Sequence, residues 1–340
     1  MTPHSRAVGA MTGLALGDAL GMPTQSMPRE VIARRFGRIT GLVDAPADQP
    51  IAAGMPAGSV TDDTEQALLV ADLLVEGGGR VPATAFADAL IAWERTMRDK
   101  GSLDLLGPST SAAVAAIAGG TDPAEAGGGG TTNGAAMRIT PVAIAVPSAR
   151  PEELLGAVHD LSFVTHNTGL GLSAAAAVGG AVSAGVDGAD VDEALEYGLD
   201  LARRAEPLGR WVAGASIVDR TRFALRAATR MDLTELADFL SRVVGTSVQS
   251  QESVPSALVI AHRFRDEPFD GLCFAAGLGG DTDTVAAMAG AVLGSVAGPD
   301  AFPADAVAQV RAVSGLEVEP VVARLLDLRR AHDRAGATVR

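Results

Sequence analysis

The sequence predicts an all-α protein, and three observations support that prediction. Apolar residues recur with the helical period of roughly 3.6 residues along most of the chain, and the alternation typical of strands is scarce. No strand–helix–strand alternation is present, which disfavours a Rossmann fold or a TIM barrel. Aromatic residues make up only 4% of the chain while glycine occurs 40 times. Small side chains must therefore fill a core of closely packed helices.

The helical period recurs from one end of the chain to the other. It predicts helices near 5–20, 64–76, 82–99, 109–118, 151–161, 169–184, 190–204, 232–244, 253–264, 283–297, 302–313 and 319–335. Glycine, proline and aspartate mark loops at 37–60, 76–82 and 118–134. The segment 206–231 has no pattern clear enough to assign. Since no low-complexity linker and no fixed-period repeat interrupts the chain, we expect a single domain over 1–340.

The charge balance restricts the possible partners. Lys and Arg total 27 against 41 Asp and Glu, a formal net charge of −14. Nucleic-acid binding usually requires a basic surface, which this composition does not supply, so we expect no nucleic-acid partner. Carboxylates gathered in a cleft could instead hold divalent cations.

Cysteine and hydropathy limit the cellular setting. Cys273 is the sole cysteine, which excludes an internal disulfide and a cysteine-rich zinc site and suits a reducing cytoplasm. The apolar runs 172–185 and 285–298 are shorter than the roughly 20 residues of a spanning helix. Asp18 interrupts the apolar N-terminal stretch, which also lacks a signal-peptide cleavage site. We therefore expect a cytoplasmic protein without a membrane partner.

Two glycine-rich stretches invite comparison with phosphate-binding loops. The stretch "GGGGTTNG" at 127–134 has no lysine after its glycines and no strand before it, so neither a P-loop nor a dinucleotide fingerprint fits. Taken alone, it is better interpreted as a flexible connection. The stretch "GLGGDT" at 277–282 is an equally poor dinucleotide motif, and its aspartate is the more informative residue.

Two acidic clusters each stand at the start of an apolar helix. In "GSVTDDTEQALL", Thr61, Asp62 and Asp63 precede one helix. Capping of free N–H groups is a sufficient explanation for a single such cluster, and Asp62 with Glu65 resembles a capping box. A second cluster, however, occurs in "GLGGDTDTVAAMAGAVLG" more than two hundred residues later. It contains the residues Asp281, Asp283 and Thr284.

Capping does not explain three oxygen-bearing side chains at each of two helices. If the helices are neighbours, four carboxylates converge, and their repulsion needs a counter-charge. Divalent cations supply that charge. Ligation by oxygen alone favours Mg²⁺ or Mn²⁺, with Ca²⁺ as an alternative, over zinc.

Six segments in order resemble the ADP-ribosylglycohydrolase family, which includes the dinitrogenase-reductase-activating glycohydrolases. They are "GLALGDALGMP", "GSVTDDTEQALL", "NGAAMRITPVAI", "FVTHN", "ESVPSAL" and "GLGGDTDTVAAMAGAVLG", and the similarity covers about residues 5–300. The resemblance implies a compact, multi-helix orthogonal bundle with two Mg²⁺ or Mn²⁺ ions at the base of a cleft. It also implies an enzyme that releases ADP-ribose from a modified protein side chain or from a small molecule.

The same resemblance implies a set of site residues. The implied metal ligands are Thr61, Asp62, Asp63, Asp281, Asp283 and Thr284. The implied substrate-binding residues are Gly130, Thr131, Thr132, Asn133, Gly134, Arg138 and His166. We hypothesise that a metal-bound water attacks the anomeric carbon while Asp62, Asp63 or Asp283 helps to take its proton.

Gln25 departs from the family pattern, which often has Glu a few residues after the first "GD" motif. An amide cannot act as a base near neutral pH, so the proton route and the substrate are open. Hydrolysis of a small nucleoside-like N-riboside is one alternative to an ADP-ribosylated substrate. A binding protein for ADP-ribose that lacks turnover is another.

Four further residues carry expectations of their own. Asp18 lies in an apolar helix, where it either supports the metal ligands or pairs with an arginine; we favour the former. Asp104 is expected in a surface loop rather than in the cleft. Trp93 and Trp211 are expected in buried packing rather than stacked on a base.

Overall fold

A computed structural model of the chain describes residues 1–99 and 106–337. Those residues form α-helices and tight turns, with three isolated β-bridges and no β-strand among them. The helices are α1 (Pro3–Gly21), α2 (Arg29–Phe36), α3 (Asp62–Glu76), α4 (Ala83–Asp99), α5 (Pro108–Ala118), α6 (Pro123–Ala126), α7 (Gly134–Met137), α8 (Thr140–Ala145), α9 (Pro151–His166), α10 (Gly169–Asp187), α11 (Val191–Ala205), α12 (Ile217–Ala228), α13 (Leu233–Phe239), α14 (Ser250–Arg263), α15 (Pro268–Ala276), α16 (Thr282–Ala297), α17 (Ala304–Ser314) and α18 (Val318–Ala337). The all-α prediction is confirmed.

Every helix that the apolar period predicts is present, but six others lie where none was predicted. These are α2, α6, α7, α8, α12 and α15, and α6 lies within the segment 118–134 that was expected to be a loop. The helix α2 buries only Ile32, so no apolar stripe marks it in the sequence. In α8 every residue is buried, so it shows no polar face to reveal its period. The segment 206–231, left unassigned above, contains α12.

The helices α1 and α16 pack with their backbones in direct contact. A methyl group added at Gly13 would lie 2.1 Å from the carbonyl oxygen of Gly290, and one at Gly9 would lie 2.2 Å from that of Gly294. At the end of α1, a methyl group on Gly21 would lie 2.4 Å from the Cα of Asp283. Only glycine permits such close approach. The contact therefore fixes the start of α16 against the end of α1.

The helix α10 runs through the centre of the molecule. By length and composition it could cross a membrane, yet its whole apolar window is buried by the surrounding helices, as in the core helix of a globular fold. Glycines of α10 and α11 allow the two helices to pack closely, since a methyl group on Gly180 would lie 2.8 Å from the Cα of Gly198 and one on Gly198 would lie 2.3 Å from the carbonyl oxygen of Ala177. Small residues thus replace the aromatic packing that the composition does not provide.

The C-terminal helix α18 is held to the core by Arg329. This side chain is 4% exposed and donates to the carbonyl oxygens of Ala143 and Val146, each at 2.9 Å. It also forms an ion pair with Asp187 at 2.5 Å. The carbonyl groups at the end of α8 have no partner within their own helix, and the guanidinium supplies the hydrogen bonds that they lack. One buried charge therefore joins α18, α8 and the end of α10.

Candidate active site

The residues at the N-cap positions of the two acidic clusters do not cap their helices. The helix α3 begins at Asp62, and the side chain of its N-cap residue Thr61 makes no capping hydrogen bond. The helix α16 begins at Thr282, and its N-cap residue Asp281 likewise caps no N–H group with its side chain. The capping alternative considered for the sequence therefore does not account for these oxygens.

The clusters meet although they are far apart in the chain. The Thr284 hydroxyl donates to Asp63 Oδ2 at 3.1 Å across 221 positions of sequence. Thr61 Oγ1 lies 3.4 Å from the same carboxylate oxygen. The glycine contact between α1 and α16 holds the second cluster in this place, because Gly21 packs on the backbone of Asp283. The convergence expected from the sequence is thus present.

Asp18 supports the first cluster from behind. Its carboxylate is fully buried and accepts hydrogen bonds from the hydroxyls of Thr61 at 2.7 Å and Thr64 at 2.5 Å. It also accepts from the backbone N–H groups of both residues. Burial raises the pKa of Asp18 to about 6, against the opposing effect of these bonds. Asp18 thus holds Thr61 and Thr64 in place, and no ion pair between Asp18 and an arginine occurs within the described part of the chain; its role beside metal ligands stays a prediction.

Asp63 has the most unfavourable surroundings for a negative charge. Its side chain is completely buried, and burial followed by the charge of Asp283 raises its pKa well above the ordinary value. The carboxylates of Asp62, Asp18 and Asp281 act in the same direction. Burial also raises the pKa of Asp281, although Asn133 and Thr284 oppose that shift. Five carboxylates thus repel one another in one place.

This arrangement fits bound cations on two grounds. Repulsion among buried carboxylates is relieved by positive charge, and Asp63 Oδ1 is buried without a hydrogen-bond partner. The donor set of carboxylates and hydroxyls suits Mg²⁺ or Mn²⁺. Within the described residues, however, no three Asp, Glu, His or Cys side chains already form a ligand group around one point. The expected set also includes the hydroxyls of Thr61 and Thr284.

Four cluster residues line a cavity of about 260 Å³ and form what we call its acidic base: Asp62, Asp281, Asp283 and Thr284. Its lining comprises Gln25, Ser26, Ile51, Asp62, Leu106, Gly107, Pro108, Thr110, Thr132, Asn133, Gly134, Met137, Val248, Asp281, Asp283 and Thr284. Cavities of about 390 Å³ and 420 Å³ lie elsewhere, and neither is lined by residues of the two clusters. Chemistry rather than size therefore identifies the candidate site.

The wall of the cavity is tied to its acidic base. Asn133 Nδ2 donates to Asp281 Oδ2 at 2.5 Å and to Ser253 Oγ at 3.0 Å. The backbone N–H of Asn133 donates to the Val248 carbonyl at 2.9 Å. An isolated bridge between Thr132 and Gln249 continues this contact. Asn133 therefore orients Asp281 as well as lining the cavity.

Four of the expected substrate-binding residues do not line the cavity. The N–H of Gly130 already donates to the Gly127 carbonyl at 3.0 Å, and the Thr131 hydroxyl donates to Gln249 at 3.0 Å. Arg138 is 2% exposed and His166 is 0% exposed. Direct ligand contact by these four residues stays a prediction, because most of their donors are used within the protein while Arg138 Nε is buried without a hydrogen-bond partner. Thr132, Asn133 and Gly134 do line the cavity.

His166 lies directly behind the wall. Its Nδ1 is 2.8 Å from the Thr165 hydroxyl and its Nε2 is 3.0 Å from the Thr132 hydroxyl. Burial, followed by the charge of Arg138, lowers the pKa of His166 well below its ordinary value. The imidazole is therefore neutral at physiological pH, and it lies behind Thr132 and Gly134, which line the cavity.

Gln66 was not identified from the sequence. It is fully buried, and its amide lies between Asp62 and Arg138, with hydrogen bonds of 2.9 Å and 2.6 Å. The contact with Asp62 could have been found, because residues four apart on a helix share a face. The contact with Arg138 depends on tertiary packing and left no signal in the sequence.

Gln25 lines the cavity and carries a buried donor without a partner. The residue is 4% exposed, and its Nε2 has no hydrogen-bond partner. The next residue, Ser26, has φ of +59°, which non-glycine residues rarely adopt. The backbone is held there by the Ser26 N–H, which donates to the Gly280 carbonyl at 2.7 Å. A strained turn thus presents the amide beside the acidic base.

The remaining expectations have mixed outcomes. Trp93 is 9% exposed and its indole N–H donates to Glu65 at 2.7 Å, so the prediction of buried packing is confirmed. The same prediction is wrong for Trp211, which is 86% exposed, because it lies in the irregular segment before α12 and no helix covers it. Asp104 lies outside the described residues.

Comparisons with known proteins agree with the geometry. The ADP-ribosylglycohydrolase family matches residues 1–335. The YegU protein of Escherichia coli (strain K12) is 32% identical over 96% of this chain and 98% of its own length. The ADP-ribosylarginine hydrolase Tri1 of Pseudomonas putida (strain GB-1) is 27% identical over 91% and 76%. A solved structure described as an ADP-ribosylglycohydrolase-related protein complex superposes with a TM-score of 0.69, 26% identity and coverage of 96% and 98%.

Proposed function

The chain belongs to the ADP-ribosylglycohydrolase family, a family of glycosidic hydrolases, and from this premise we propose that it cleaves the bond at ribose C1 of an ADP-ribosylated substrate with the aid of divalent cations. One observation carries the proposal. The hydrogen bond from Thr284 to Asp63 joins two acidic clusters at the base of a cavity. Packing alone does not require so many buried carboxylates in one place.

The protein's own residues suit the charge that develops during cleavage. Glycosidic bond breaking passes through an oxocarbenium-like state with positive charge at the ring. The carboxylates of Asp62 and Asp283 line the cavity and can stabilise that charge. Asp62, Asp63 or Asp283 would accept the proton of the attacking water. The neutral His166 cannot supply a positive charge here, because burial keeps it deprotonated.

Cation binding is proposed for the same clusters. Thr61, Asp62, Asp63, Asp281, Asp283 and Thr284 are the residues that would hold Mg²⁺ or Mn²⁺. Bound cations would supply counter-charge for the carboxylates and Lewis acidity toward the sugar hydroxyls. Asn133 and Asp18 would act by holding Asp281 and Thr61 in place.

The proposed substrate class is an ADP-ribosylated protein side chain or small molecule. Tri1 of Pseudomonas putida is named for ADP-ribosylarginine, and this chain matches 76% of its length. The amide of Gln25 and the hydroxyl of Thr132 line the cavity as polar contacts for the ribose or diphosphate. A neutral amide can form such contacts without repelling an anionic ligand.

The test is a parallel hydrolysis assay with and without Mg²⁺ or Mn²⁺. Purified protein is incubated with peptides carrying ADP-ribosyl-arginine or ADP-ribosyl-serine and with simple nucleosides, and products are quantified by mass spectrometry. We expect cation-dependent release of ADP-ribose from at least one peptide. Asp283→Asn should lower that rate by about 100-fold or more, because it removes a charged group at the cavity base.

A matched control separates this effect from general damage. Asp305 also lies in the first turn of an apolar-faced helix, α17, but on the surface. Asp305→Asn should therefore retain the wild-type rate. Equal rates for the two variants, or cleavage that ignores the cations, would contradict the proposal.

Hydrolysis of a nucleoside-like N-riboside is a second candidate. The cavity, about 260 Å³, is smaller than the roughly 300 Å³ or more usual for ligand pockets. Gln25 also cannot act as a base. Release of ribose from a nucleoside, with no ADP-ribose from either peptide, would favour this candidate.

A further inference from the structure

Gln66 lies one helical turn after Asp62 on α3. Its side chain is fully buried, and its Nε2 donates to Asp62 Oδ2 at 2.9 Å. Asp62 lines the cavity, whereas Gln66 does not. The Gln66 amide therefore influences the cavity indirectly, by orienting the carboxylate of Asp62.

The other end of the amide fixes its orientation. Gln66 Oε1 accepts a hydrogen bond from Arg138 Nη1 at 2.6 Å. Because a guanidinium has donors but no acceptor, the amide oxygen must face Arg138. The amide nitrogen must then face Asp62. Only this orientation of the Gln66 amide gives both of its neighbours a hydrogen bond.

Arg138 is a buried cation without a carboxylate in contact. Its remaining partners are the hydroxyls of Thr165 at 2.7 Å and Thr110 at 3.4 Å and the ring of Phe86, 5.1 Å away. No ion pair to Arg138 occurs among the described residues; burial lowers the pKa of Arg138 to about 10, and the charge of Asp62 opposes that shift. One amide thus separates a desolvated guanidinium from the carboxylate that would pair with it.

We propose that Gln66 is a positioning residue that orients Asp62 toward the cations and separates it from Arg138. The amide orients the carboxylate by donating to one of its oxygens and occupies the space through which Arg138 would reach it. Without Gln66, Arg138 pairs with Asp62 and competes with the cations. This inference rests on the proposed function, since it takes Asp62 as a cation ligand.

The test measures Mn²⁺ binding to metal-free full-length protein by isothermal titration, independently of turnover. Gln66→Met keeps the length of the side chain and removes both hydrogen bonds. We expect it to raise the dissociation constant for Mn²⁺ by about 10- to 100-fold, the usual effect of losing a residue that orients a ligand. Gln309→Met is the control, because Gln309 is exposed and its amide donates only to the Ala57 carbonyl.

A double variant distinguishes competition from a merely structural role. If Arg138 captures Asp62 in Gln66→Met, then Gln66→Met with Arg138→Met should restore much of the affinity even if it melts at a lower temperature. A purely structural role predicts that the double variant binds as weakly as the single one or more weakly. Gln66→Leu replaces Gln66→Met in both variants if the methionine variant does not fold.

The possible outcomes separate this inference from the proposed function. Wild-type affinity in Gln66→Met, or no recovery in the double variant, would overturn the role of Gln66 alone. A wild-type protein that takes up no Mn²⁺ would overturn the cation site and the role of Gln66 together. Weakened binding that recovers on removal of Arg138 supports both.

Discussion

At the scale of single residues, Asp63 shows the conflict between the proposed function and stability most clearly. Its carboxylate is buried among four others. A raised pKa in the folded state means that the folded protein holds this proton above the pH at which the unfolded chain releases it. The resulting stability is present at low pH and is lost as the pH rises through the folded-state pKa. At neutral pH without cations, Asp63 therefore destabilises the fold.

Replacing Asp63 should expose that conflict. Asp63→Asn removes the charge, so the metal-free variant should melt about 2 °C or more above the wild type at pH 8. At pH 5 the difference should shrink, because the raised pKa of Asp63 leaves a larger fraction of the wild-type carboxyl protonated there than at pH 8. Mn²⁺ should raise the melting temperature of the wild type and not of the variant. Differential scanning fluorimetry in EDTA and in Mn²⁺ measures the melting temperatures of both proteins at both pH values. A variant that is less stable than the wild type by the same amount at pH 5 and at pH 8 would contradict the expectation.

His166 should have the opposite pH dependence. Its pKa is lowered in the folded state, so below the ordinary value of about 6.5 the unfolded chain binds a proton that the folded protein does not. The stability of the wild type relative to His166→Gln should fall by about 1.4 kcal/mol per pH unit below that value. Urea unfolding at pH 7.5, 6.0 and 5.0 measures it. If the difference in unfolding free energy between the two proteins were the same at the three pH values, His166 would take up its proton in the folded protein over the same pH range as in the unfolded chain.

Residue roles were predictable from sequence where they depend on neighbours in the chain. Thr61, Asp62 and Asp63 are adjacent, so a shared position followed from the motif alone. Arg138 also lies in a recognisable motif. Whether its guanidinium faces the cavity or the protein interior, however, depends on where Gln66 and Thr165 pack. These contacts join helices that are distant in sequence, and a single amino-acid sequence does not show which distant helices are in contact.

At the scale of helices, the contact between α1 and α16 determines where the second acidic cluster lies. Glycines on both helices bring carbonyl oxygens within 2.1 Å of the position of an added methyl group. The period of the apolar residues predicted both helices, because each is long. It could not predict that they touch, because a glycine in a helical pattern equally signals a weak helix or a close neighbour.

Gly290→Ala should separate these helices. The new methyl group would lie 2.0 Å from the Gly13 carbonyl oxygen, so we expect a loss of at least about 2 kcal/mol in the free energy of unfolding. Mn²⁺ affinity should fall as well, since α16 carries Asp283. Urea denaturation and isothermal titration measure the two effects.

Gly156→Ala is the matched control. This glycine lies in α9, and a methyl group there would meet no atom within 4 Å. Alanine should stabilise α9 by about 0.5–1 kcal/mol and leave Mn²⁺ affinity unchanged. If both glycine variants changed stability in the same direction and by the same amount, helix propensity rather than helix contact would explain the result.

At the scale of the whole molecule, the ends of the chain are tied to the same core. The first helix contacts α16, and α18 is fastened by Arg329 to α8 and α10. The all-α class followed from composition and period. The order in which the helices pack did not, because many arrangements bury the same apolar faces and only particular contacts, such as that of Arg329, select one of them.

Arg329→Leu should therefore loosen the C-terminal helix. It removes a donor from the carbonyls of Ala143 and Val146 and the ion-pair partner of Asp187. Since Ser183 still donates to Val146 and Ser148 to Asp187, we expect a loss of about 1–3 kcal/mol. Arg330→Leu is the control, because Arg330 is exposed and pairs only with Asp327 of its own helix. Thermal melts and limited proteolysis of the two variants provide the comparison; equal melting temperatures would show that α18 is held by its apolar face alone.

The touching backbones of α1 and α16 also have a consequence for motion. Two helices in such contact are expected to move together rather than relative to each other. Asp18 on α1 and Asp283 on α16 should therefore keep a constant separation, and we call these two residues the floor of the cavity. Exchange of substrate and product is then left to the rim, where Ser26 has a strained backbone and Gly107 and Pro108 begin a helix at the cavity edge. Turnover limited by product release would consequently respond to substitutions in the rim and be insensitive to conservative changes beneath the floor.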